Sequence, residues 1–469
     1  MNKTALKNKT KRLGLVITDG VGYRNFVLSS FLTEAAKEFT EIIIFSGLPG
    51  SAFEHVNSSI AVVELPVFKE QKHHWFFRKL KEVAHLQKHR KNPGIADNLC
   101  MNRKTGLSPN AILTQIIYGI TSIFHSEKAI LKYEKWQEQL FSNHQIVQSY
   151  GKLLQEYRPD TLFFTHQRPP FIATLVYQAR KLNIPTSAFI FSWDNLASKG
   201  RMATTFDQYL VWSALMKSEL LRFYPQTNEK QVEIVGTPQF EPYADLRNLI
   251  TKADFLVHYG LKPDQKIICY SCADGSIGPN DPLVISVIAK AIRDKKIENC
   301  QLLVRTSPAE DEVRFANVKS DFPEIAWNHP HWKQTRIDHP EPWSQRIPLS
   351  EDLEELKAVL AHTDVNVNMC STMSLDFMLF GKPVINTVFG NKKNGLYDDQ
   401  RFLLYEHYQH VIESGAVKIA KNADELIVGL QEYLKNPLQD HEKQQRLLTV
   451  EVGIPLEETT KKCINALQG

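Results

Sequence analysis

Residues 364–388 are the stretch that most restricts the fold, because a strand, a short helix and a second strand follow one another there. Asp364 to Met369 alternates polar and apolar side chains with a period of two, which predicts a strand. Met373 to Phe380 is almost wholly apolar, and Gly381-Lys382-Pro383 is typical of the end of a helix. Val384 to Val388 predicts the next strand. The stretch is therefore a βαβ unit.

Two hydroxyl side chains, those of Ser371 and Thr372, stand where the helix of this unit begins. They can cap N–H groups there, and the free N–H groups and positive dipole end of a helix favour a bound phosphate. An ordinary serine-capped core helix would have the same local sequence. For this unit alone, both interpretations stay open.

The same alternation of strands and helices runs through both halves of the chain. Further strands are predicted at 13–17, 41–45, 159–166, 185–191, 207–212, 232–236, 266–271 and 300–305. Helical patterns separate most of them, so we predict an α/β protein with parallel, doubly wound sheets. Because 469 residues exceed one hydrophobic core, we expect two Rossmann-like domains facing across a cleft.

The turn-rich segment 236–243 predicts the linker between the domains. We therefore assign 1–245 to an N-terminal Rossmann-like domain with a basic helical insertion at about 69–150. We assign 246–435 to a C-terminal Rossmann-like domain. Residues 436–469 are predicted to be helical and to pack back on the N-terminal domain.

Composition excludes several classes of protein. The hydrophobic fraction of 43% and the charged fraction of 23% are typical of a globular chain, and a net charge of +4 does not argue for nucleic acid. Six scattered cysteines suit a reducing cytoplasm, and no apolar run approaches the length of a spanning helix. Cys269-x-x-Cys272 is either a metal or redox pair or two core thiols.

Ligands of doubly wound sheets collect at the carboxyl ends of the strands, so the residues that follow each strand are the candidates for a site. In the N-terminal half these are Asp19, Gly20, Gly22, Arg24, His166, Trp193, Asp194 and Asn195. In the C-terminal half they are Ser271, Asp274, Gly275, Arg305, Ser371, Thr372, Ser374 and Asp376. Gly20-x-Gly22 lacks the third glycine of a dinucleotide fingerprint, so we expect it to allow a sharp turn close to a ligand.

The segment 69–104 carries ten Lys/Arg against three acidic residues, with Trp75-Phe76-Phe77 embedded in it. Three interpretations stay open. The segment is a basic amphipathic helix on an anionic membrane surface, the binding surface for a lipid-linked acceptor, or a solvated insertion with an aromatic anchor. No recognisable RNA-binding motif accompanies the charge.

In the C-terminal half, the residues resemble those of a known class. Leu303-Val304-Arg305-Thr306-Ser307-Pro308, Asp364, Ser371-Thr372-Met373-Ser374-Leu375-Asp376 and Gly381-Lys382-Pro383-Val384-Ile385 look like motifs of the GT-B nucleotide-sugar-dependent glycosyltransferases. The resemblance is to the bacterial surface-polysaccharide branch related to the CDP-glycerol glycerophosphotransferases. It covers the C-terminal half well and the N-terminal half only in architecture.

The resemblance implies that the C-terminal domain binds the nucleotide diphosphate of a donor. Ser371, Thr372 and Ser374 would meet the diphosphate, and the loop 271–275 with Ser271, Asp274 and Gly275 would close over it. Arg305 would balance charge on the leaving phosphate. Asp376 would hold a ribose hydroxyl or orient Ser371, and Trp343 would stack on the base or anchor its loop. No cofactor besides the nucleotide sugar and no metal is expected, because no D-x-D motif stands at a strand end.

The acceptor would enter from the N-terminal domain, beside Gly20, Gly22, Arg24, Trp193 and Asn195. An inverting transfer needs a general base near the acceptor hydroxyl. Asp19 is the first candidate, His166 the second and Asp194 the third. A turn-capping role for Asp19 and a structural hydrogen bond for His166 are the alternatives.

The predicted function is glycosyl transfer from a nucleotide sugar to a glycan or lipid-linked acceptor in cell-surface polysaccharide biosynthesis. The predicted location is the cytoplasm, with peripheral contact at the inner face of the membrane through 69–104 as an open alternative. A glycerophosphotransferase, a sugar-nucleotide 2-epimerase and a non-catalytic nucleotide-sugar-binding protein remain alternatives on the same fold.

Overall fold

The computed structural model describes residues 11–309, 312–390, 399–453 and 455–468. Within them, the strands are β1 (Arg12–Ile17), β2 (Glu41–Ser46), β3 (Ala61–Glu64), β4 (Thr161–Phe164), β5 (Thr186–Phe189), β6 (Gln208–Val211), β7 (Val232–Ile234), β8 (Lys266–Ser271), β9 (Cys300–Arg305), β10 (Ala326–Asn328), β11 (Trp332–Gln334), β12 (Arg346–Pro348), β13 (Val365–Asn368), β14 (Val384–Thr387) and β15 (Lys418–Ala420).

The helices of the N-terminal half are α1 (Gly20–Phe26), α2 (Phe31–Glu38), α3 (Lys72–Lys88), α4 (Pro93–Met101), α5 (Pro109–Ile123), α6 (Glu127–Phe141), α7 (Gln145–Tyr157), α8 (Ile172–Lys181), α9 (Asn195–Ser198) and α10 (Ala214–Phe223). Those of the C-terminal half are α11 (Lys252–Tyr259), α12 (Asp281–Arg293), α13 (Ala316–Asp321), α14 (Ser350–His362), α15 (Met373–Leu379), α16 (Glu406–Ser414), α17 (Ala423–Lys435), α18 (His441–Glu451) and α19 (Thr459–Gln468). Short 3₁₀ turns occupy Gly50–Phe53, Glu229–Gln231, Glu241–Ala244, Val313–Phe315, Pro342–Gln345, Asp399–Leu404 and Leu456–Glu458.

Two parallel sheets organise the described residues, which confirms the predicted fold class. The N-terminal sheet has the order β3-β2-β1-β4-β5-β6-β7 and the C-terminal sheet the order β10-β9-β8-β13-β14-β15. Counted from its own first strand, the C-terminal sheet has the 3-2-1-4-5-6 order of a Rossmann-like fold, and the N-terminal sheet has the same order with a seventh strand at its end. The order reverses between β1 and β4 in one sheet and between β8 and β13 in the other, which is where such sheets bind ligands.

Three local features are not apparent from the sequence patterns. Helices α1 and α2 are separate elements, because α1 ends at Phe26 and α2 begins at Phe31, whose amide donates to the Ser29 hydroxyl at 3.2 Å. Gly119 does not interrupt the helical insertion, because it lies inside α5. Strand β3 was not predicted from the sequence.

Two segments of the C-terminal half reach across to the N-terminal sheet. The 3₁₀ turn and strand at 342–348 lie against it, and Gln345 Nε2 donates to the Gly47 carbonyl at 3.2 Å. At the end of the chain α19 packs on α2, and the Gln468 amide donates to Glu38 at 2.6 Å. No helix among the described residues is long and apolar enough to cross a membrane.

Candidate active site

A cavity of about 400 Å³ lies between the carboxyl edges of the two sheets. The predicted site residues that line it are Arg24, Trp193, Asp194, Ser271, Asp274, Arg305, Ser371 and Thr372. We call it the cleft cavity. Gly20, Gly22, Asn195, Gly275, Ser374 and Asp376 do not line it. The structure thus brings half of the predicted residues to one place.

A sharp turn at Cys370 shapes the C-terminal wall of the cleft cavity. Cys370 has φ 47°, a left-handed conformation that a side chain disfavours, and it directs the chain from β13 into α15. As a result Met369, Ser371 and Thr372 all line the cavity. Burial raises the pKa of the Cys370 thiol well above its ordinary value, so this cysteine is no thiolate nucleophile.

A buried network of asparagines holds this turn in place. The Asn368 side chain accepts from the amide of Ser371 at 2.9 Å and donates to Asn366 at 2.6 Å. Asn366 in turn donates to the hydroxyl of Ser271 at 2.9 Å, which ties the loop after β8 to the loop after β13. Ser374 belongs to this network and is fully buried, so its hydroxyl stands behind the cavity wall. The predicted contact of Ser374 with a donor is therefore not seen.

Arg305 lies in the cavity wall, but its guanidinium is already engaged. One Nη donates to Asn328, and the other lies 3.2 Å from Asp352. Asp352 also accepts from Trp332 Nε1 at 2.9 Å, and Trp332 lines the same cavity. Trp332, rather than the predicted Trp343, is therefore the tryptophan of this segment that lines the cleft cavity.

Asp376 faces away from the cavity. Tyr243, in the 3₁₀ turn of the interdomain linker, donates to its carboxylate at 2.5 Å. Burial raises the pKa of Asp376 to about 6. The side chain contacts the linker instead of a ribose or Ser371, and neither predicted role matches this geometry.

The N-terminal wall contributes a turn that follows β5. Trp193 Nε1 donates to the Thr372 hydroxyl at 3.1 Å, a hydrogen bond that crosses the cleft. Asp194 pairs with Lys199 at 3.3 Å. Burial raises the pKa of Asp194, but Lys199, His407 and two hydrogen bonds together hold it below the ordinary value. This carboxylate is therefore ionised and a weak base.

Asp19 and His166 form a buried dyad beside the cleft. His166 Nδ1 lies 2.8 Å from the Asp19 carboxylate, which makes Nδ1 the donor and leaves the lone pair on Nε2. Asp19 also accepts from Thr18 at 2.7 Å and from the amides of Val21 and Gly22 at 3.0 and 2.9 Å. It therefore caps α1 and is only 1% exposed, so it has no free position for a substrate proton.

His166 has the opposite properties. Among the described residues its buried Nε2 has no hydrogen-bond partner, and the side chain lines a second cavity of about 300 Å³, which we call the dyad cavity. Burial lowers the pKa of His166, while the hydrogen bond and charge of Asp19 oppose the shift. A neutral imidazole oriented by a carboxylate is equipped to accept a proton.

The two glycines after Asp19 are required by packing within the protein. A Cβ on Gly20 would lie 1.7 Å from the Arg346 carbonyl, and one on Gly22 would lie 2.5 Å from the Thr165 hydroxyl. Gly20 thus admits the backbone of β12 from the other domain. The close approach predicted for a ligand is made by the protein itself.

Three further features answer questions left by the sequence. Cys269 and Cys272 are both buried, as expected of core thiols. Within the described ranges, no group of three or more His, Cys, Asp or Glu side chains could hold a metal ion; the metal-free mechanism itself stays a prediction. His407, which sequence analysis missed, lines the cleft cavity, and burial lowers its pKa to about 4.

No protein-family model matches the chain, and no curated protein matches it. Solved structures do. MnaA of S. aureus, solved with UDP, superposes with a TM-score of 0.53 at 11% identity, covering 98% of this chain and 96% of that one. A putative UDP-N-acetylglucosamine 2-epimerase from Listeria monocytogenes gives 0.55 at 10%, covering 97% and 95%. A glycosyltransferase from Rickettsia africae ESF-5 gives 0.51 at 11%, covering 98% of each.

At these identities the similarity shows the fold alone. The chain has the GT-B fold, with two Rossmann-like domains over nearly its whole length. The predicted fold class is confirmed, and the finer resemblance to the CDP-glycerol branch stays a prediction.

Proposed function

We propose that the protein is a glycosyltransferase that moves a sugar from a nucleotide-diphosphate donor to a glycan or lipid-linked acceptor in cell-surface polysaccharide biosynthesis. The observation that carries the proposal is a pair of cavities linked by one segment. His166 of the dyad cavity stacks on Phe191 with 4.0 Å between ring centroids, and the next residue, Ser192, lines the cleft cavity. The cleft cavity suits a donor between the domains, and the dyad cavity holds His166 with a free Nε2. A reaction of two substrates needs two such places.

On the donor side, the hydroxyls of Ser371 and Thr372 line the cleft cavity with two cations, Arg24 and Arg305. Arg305 is partly neutralised by Asp352, so Arg24 of the opposite wall supplies much of the uncompensated positive charge. When the bond between the sugar and the diphosphate breaks, its electron pair goes to the leaving phosphate. Both cations stabilise that charge, and no metal ion is required.

On the acceptor side, His166 is the general base in place of the first candidate, Asp19. The acceptor hydroxyl gives its proton to Nε2 as its oxygen attacks the anomeric carbon. Asp19 holds the imidazole in the required tautomer and stabilises the imidazolium that forms. Asp194, low in pKa and paired with Lys199, takes no proton.

A second candidate function is sugar-nucleotide 2-epimerisation, because solved 2-epimerases share the fold and because Asp194 and His407 both lie in the cleft cavity itself. An epimerase acts on one substrate. Incubation of UDP-N-acetylglucosamine in deuterium oxide without an acceptor separates the two functions. Deuterium at C2 supports the epimerase, whereas a transferase leaves C2 unlabelled.

Donor binding is tested by thermal shift with a panel of nucleotide sugars, free nucleoside diphosphates and CDP-glycerol. A ligand at 100 times its Kd stabilises the protein by roughly 2.7 kcal/mol. We expect a shift with at least one nucleoside diphosphate. The absence of any shift would reject both the transferase and the epimerase, and a shift with CDP-glycerol alone would favour a glycerophosphotransferase.

The proposal includes contact with an anionic membrane surface at the inner face of the membrane, but through a different segment from the predicted one. Part of the charge in 69–104 is paired or buried, since Arg78 lies 2.6 Å from Glu70 and Lys81 is fully buried. The aromatic residues Trp75, Phe76 and Phe77 pack on a core shared with α5 and α6. The aromatic anchor is therefore committed to the fold, and the segment offers exposed cations without exposed aromatic side chains.

Residues 101–124 support the contact better. Their exposed apolar side chains are Met101, Leu107, Ile112, Ile116, Ile123 and Phe124. Ile112, Ile116 and Ile123 share one face of α5. No acidic residue occurs between Asp97 and Glu127, whereas Arg103 and Lys104 are exposed. Apolar side chains beside cations suit an anionic lipid surface.

Vesicle co-sedimentation tests this contact. Ile116→Glu should reduce binding to anionic vesicles several-fold, because the vesicle-bound protein would hold a negative charge against the anionic lipid surface in place of an apolar side chain. Val257→Glu is the matched control, since Val257 is an exposed apolar residue of the other domain. Equal binding by both variants would reject the surface 101–124.

A further inference from the structure

The dyad cavity is built by both domains. Its N-terminal walls come from α3, from the segment after β4 that contains His166 and Arg168, and from the segment 200–201. Glu341 and Trp343, from the C-terminal segment that reaches across, close it. The ring of Trp343 stands edge-on to His166, with 6.2 Å between centroids.

Four cations line these walls. The cations that line the cavity are Arg78, Lys79, Arg168 and Arg201, against the carboxylates of Glu82 and Glu341. Glu82 is occupied, since it lies 2.7 Å from both Arg78 and Lys79. Burial raises the pKa of Glu341, while the charges of Arg78 and Arg168 oppose the shift.

Two of the cations, Arg168 and Arg201, have guanidinium nitrogens without a hydrogen-bond partner in the described part of the chain. Arg168 is half-buried and makes no hydrogen bond or ion pair with any described residue. Arg201 is 4% exposed; its Nη2 lies 2.7 Å from Glu127, but its buried Nη1 has no hydrogen-bond partner among the described residues. Buried guanidinium N–H groups are normally satisfied, so Arg201 Nη1 points to a missing acceptor of hydrogen bonds. Arg168 places a second, half-buried guanidinium, unpaired within the described ranges, at the same cavity.

His166 Nε2 is a third unsatisfied atom at the same cavity. It is a hydrogen-bond acceptor, whereas the free groups of Arg168 and Arg201 are donors. A ligand that satisfies all three carries a hydroxyl that donates to Nε2 and, beside it, an oxygen that accepts from the two guanidinium groups. A sugar hydroxyl can accept such a bond, but an anionic oxygen forms the stronger, charge-assisted one and also neutralises the cations.

We propose that the dyad cavity binds an anionic group of the acceptor, a phosphate or carboxylate, through Arg168 and Arg201. The hydroxyl to be glycosylated then lies against His166 Nε2. This inference rests on the proposed function and specifies the chemical class of its acceptor. Arginine suits the task because its planar N–H groups match the oxygens of both anions.

The test is the binding of inorganic phosphate to the full-length protein by calorimetry, with saturating UDP present so that the cleft cavity is filled. We expect measurable binding by the wild type and roughly tenfold weaker binding by Arg168→Gln, because a charge-assisted hydrogen bond is lost. Arg446→Gln, on the exposed face of α18, is the matched control and should bind as the wild type does. No binding, or an equal loss in both variants, would overturn the proposal.

The same variants distinguish the sources of the anion. Vesicles of phosphatidic acid and phosphatidylcholine replace the phosphate in a second arm. Vesicle binding that depends on Arg168 indicates a lipid-borne phosphate. If binding of inorganic phosphate depends on Arg168 but binding of vesicles does not, the acceptor is water-soluble. If no nucleotide of the donor panel binds while phosphate binding still depends on Arg168, the proposed transferase is rejected and the anion site remains supported.

Discussion

The two sheets have the same strand order but use the end of their first strand in opposite ways. After β1 the chain enters α1 at once, and Asp19 caps it with a buried carboxylate. After β8 the chain runs through 272–280 before α12 begins. The short connection makes a packed wall with β12 against Gly20, and the long one leaves room for the cleft cavity. The shared topology gives each sheet a carboxyl edge, which we call its rim. The length of the connection after the first strand decides whether that rim is filled by the protein or open to a ligand.

The chemistry of the two rims differs as well. Neutral amides and hydroxyls hold the C-terminal rim, where Asn366 and Asn368 link the loops. Ionisable side chains hold the N-terminal rim, where Asp19 orients His166. One rim is thus suited to hold a ligand in place and the other to move a proton.

The largest effect is expected from His166→Ala. Removal of a general base typically slows a reaction by about 10²- to 10⁴-fold, and the UDP-induced thermal shift should be unchanged because His166 does not line the cleft cavity. Transfer rates and thermal shifts are measured side by side. His73→Ala, which removes an exposed histidine, is the control. A His166→Ala variant with an unchanged transfer rate would contradict the assignment of proton transfer to the N-terminal rim.

Much of the fold was predictable, because strand periodicity depends on neighbours in sequence. The strands around 13–17, 266–271 and 300–305 were found close to their actual bounds. The alternation of Asn366 and Asn368 with valines predicted the position of β13, but both asparagines are fully buried. Their environment is a network across three strands, which the local pattern does not contain.

The site was less predictable because its contacts join distant residues. Tyr243 and Asp376 are 133 positions apart, and Asp19 and His166 are 147 apart. Strand ends indicated which residues reach the rim, but not which of them turn inward. Asp19, first among the candidate bases, is saturated by hydrogen bonds that only the folded chain reveals.

The next largest effect concerns the asparagine network of the C-terminal rim. Asn368→Ala leaves the amide of Ser371 without a partner inside the protein, removes the donor to Asn366 Oδ1 and takes one acceptor from the side-chain amide of Asn386. We expect the free energy of unfolding to fall by about 3 kcal/mol, measured by urea denaturation. Asn57→Ala, at an exposed position, should change it by less than about 0.5 kcal/mol. Similar values for both variants would contradict a structural role for the network.

A third prediction concerns buried carboxyls on the N-terminal side. Burial raises the pKa of Glu219 in α10 and of Glu451 in α18 to about 8. Since these folded-state pKa values exceed the unfolded value, the folded protein retains protons that the unfolded chain loses between about pH 4.5 and 8. Their favourable contribution is complete below that window and is lost as the pH rises through it.

Glu451→Gln removes one of these groups. The decrease of unfolding free energy with pH should become shallower by about 1.4 kcal/mol per pH unit inside the window. Urea denaturation from pH 5 to 8 measures it, with Glu457→Gln as an exposed control. An unchanged slope would mean that Glu451 titrates normally and that the pH dependence arises elsewhere.

The smallest effect tests the link between the rims. Thr372→Val keeps the shape of the side chain but removes the hydroxyl that accepts from Trp193 Nε1 across the cleft. We expect a loss of about 1 kcal/mol in unfolding free energy and a modest weakening of UDP binding, because Thr372 also lines the cleft cavity. Thr33→Val, on the exposed face of α2, should alter neither. A variant that loses stability and keeps full UDP affinity would assign Thr372 to interdomain packing alone, and would place donor recognition on Ser371 and the two arginines.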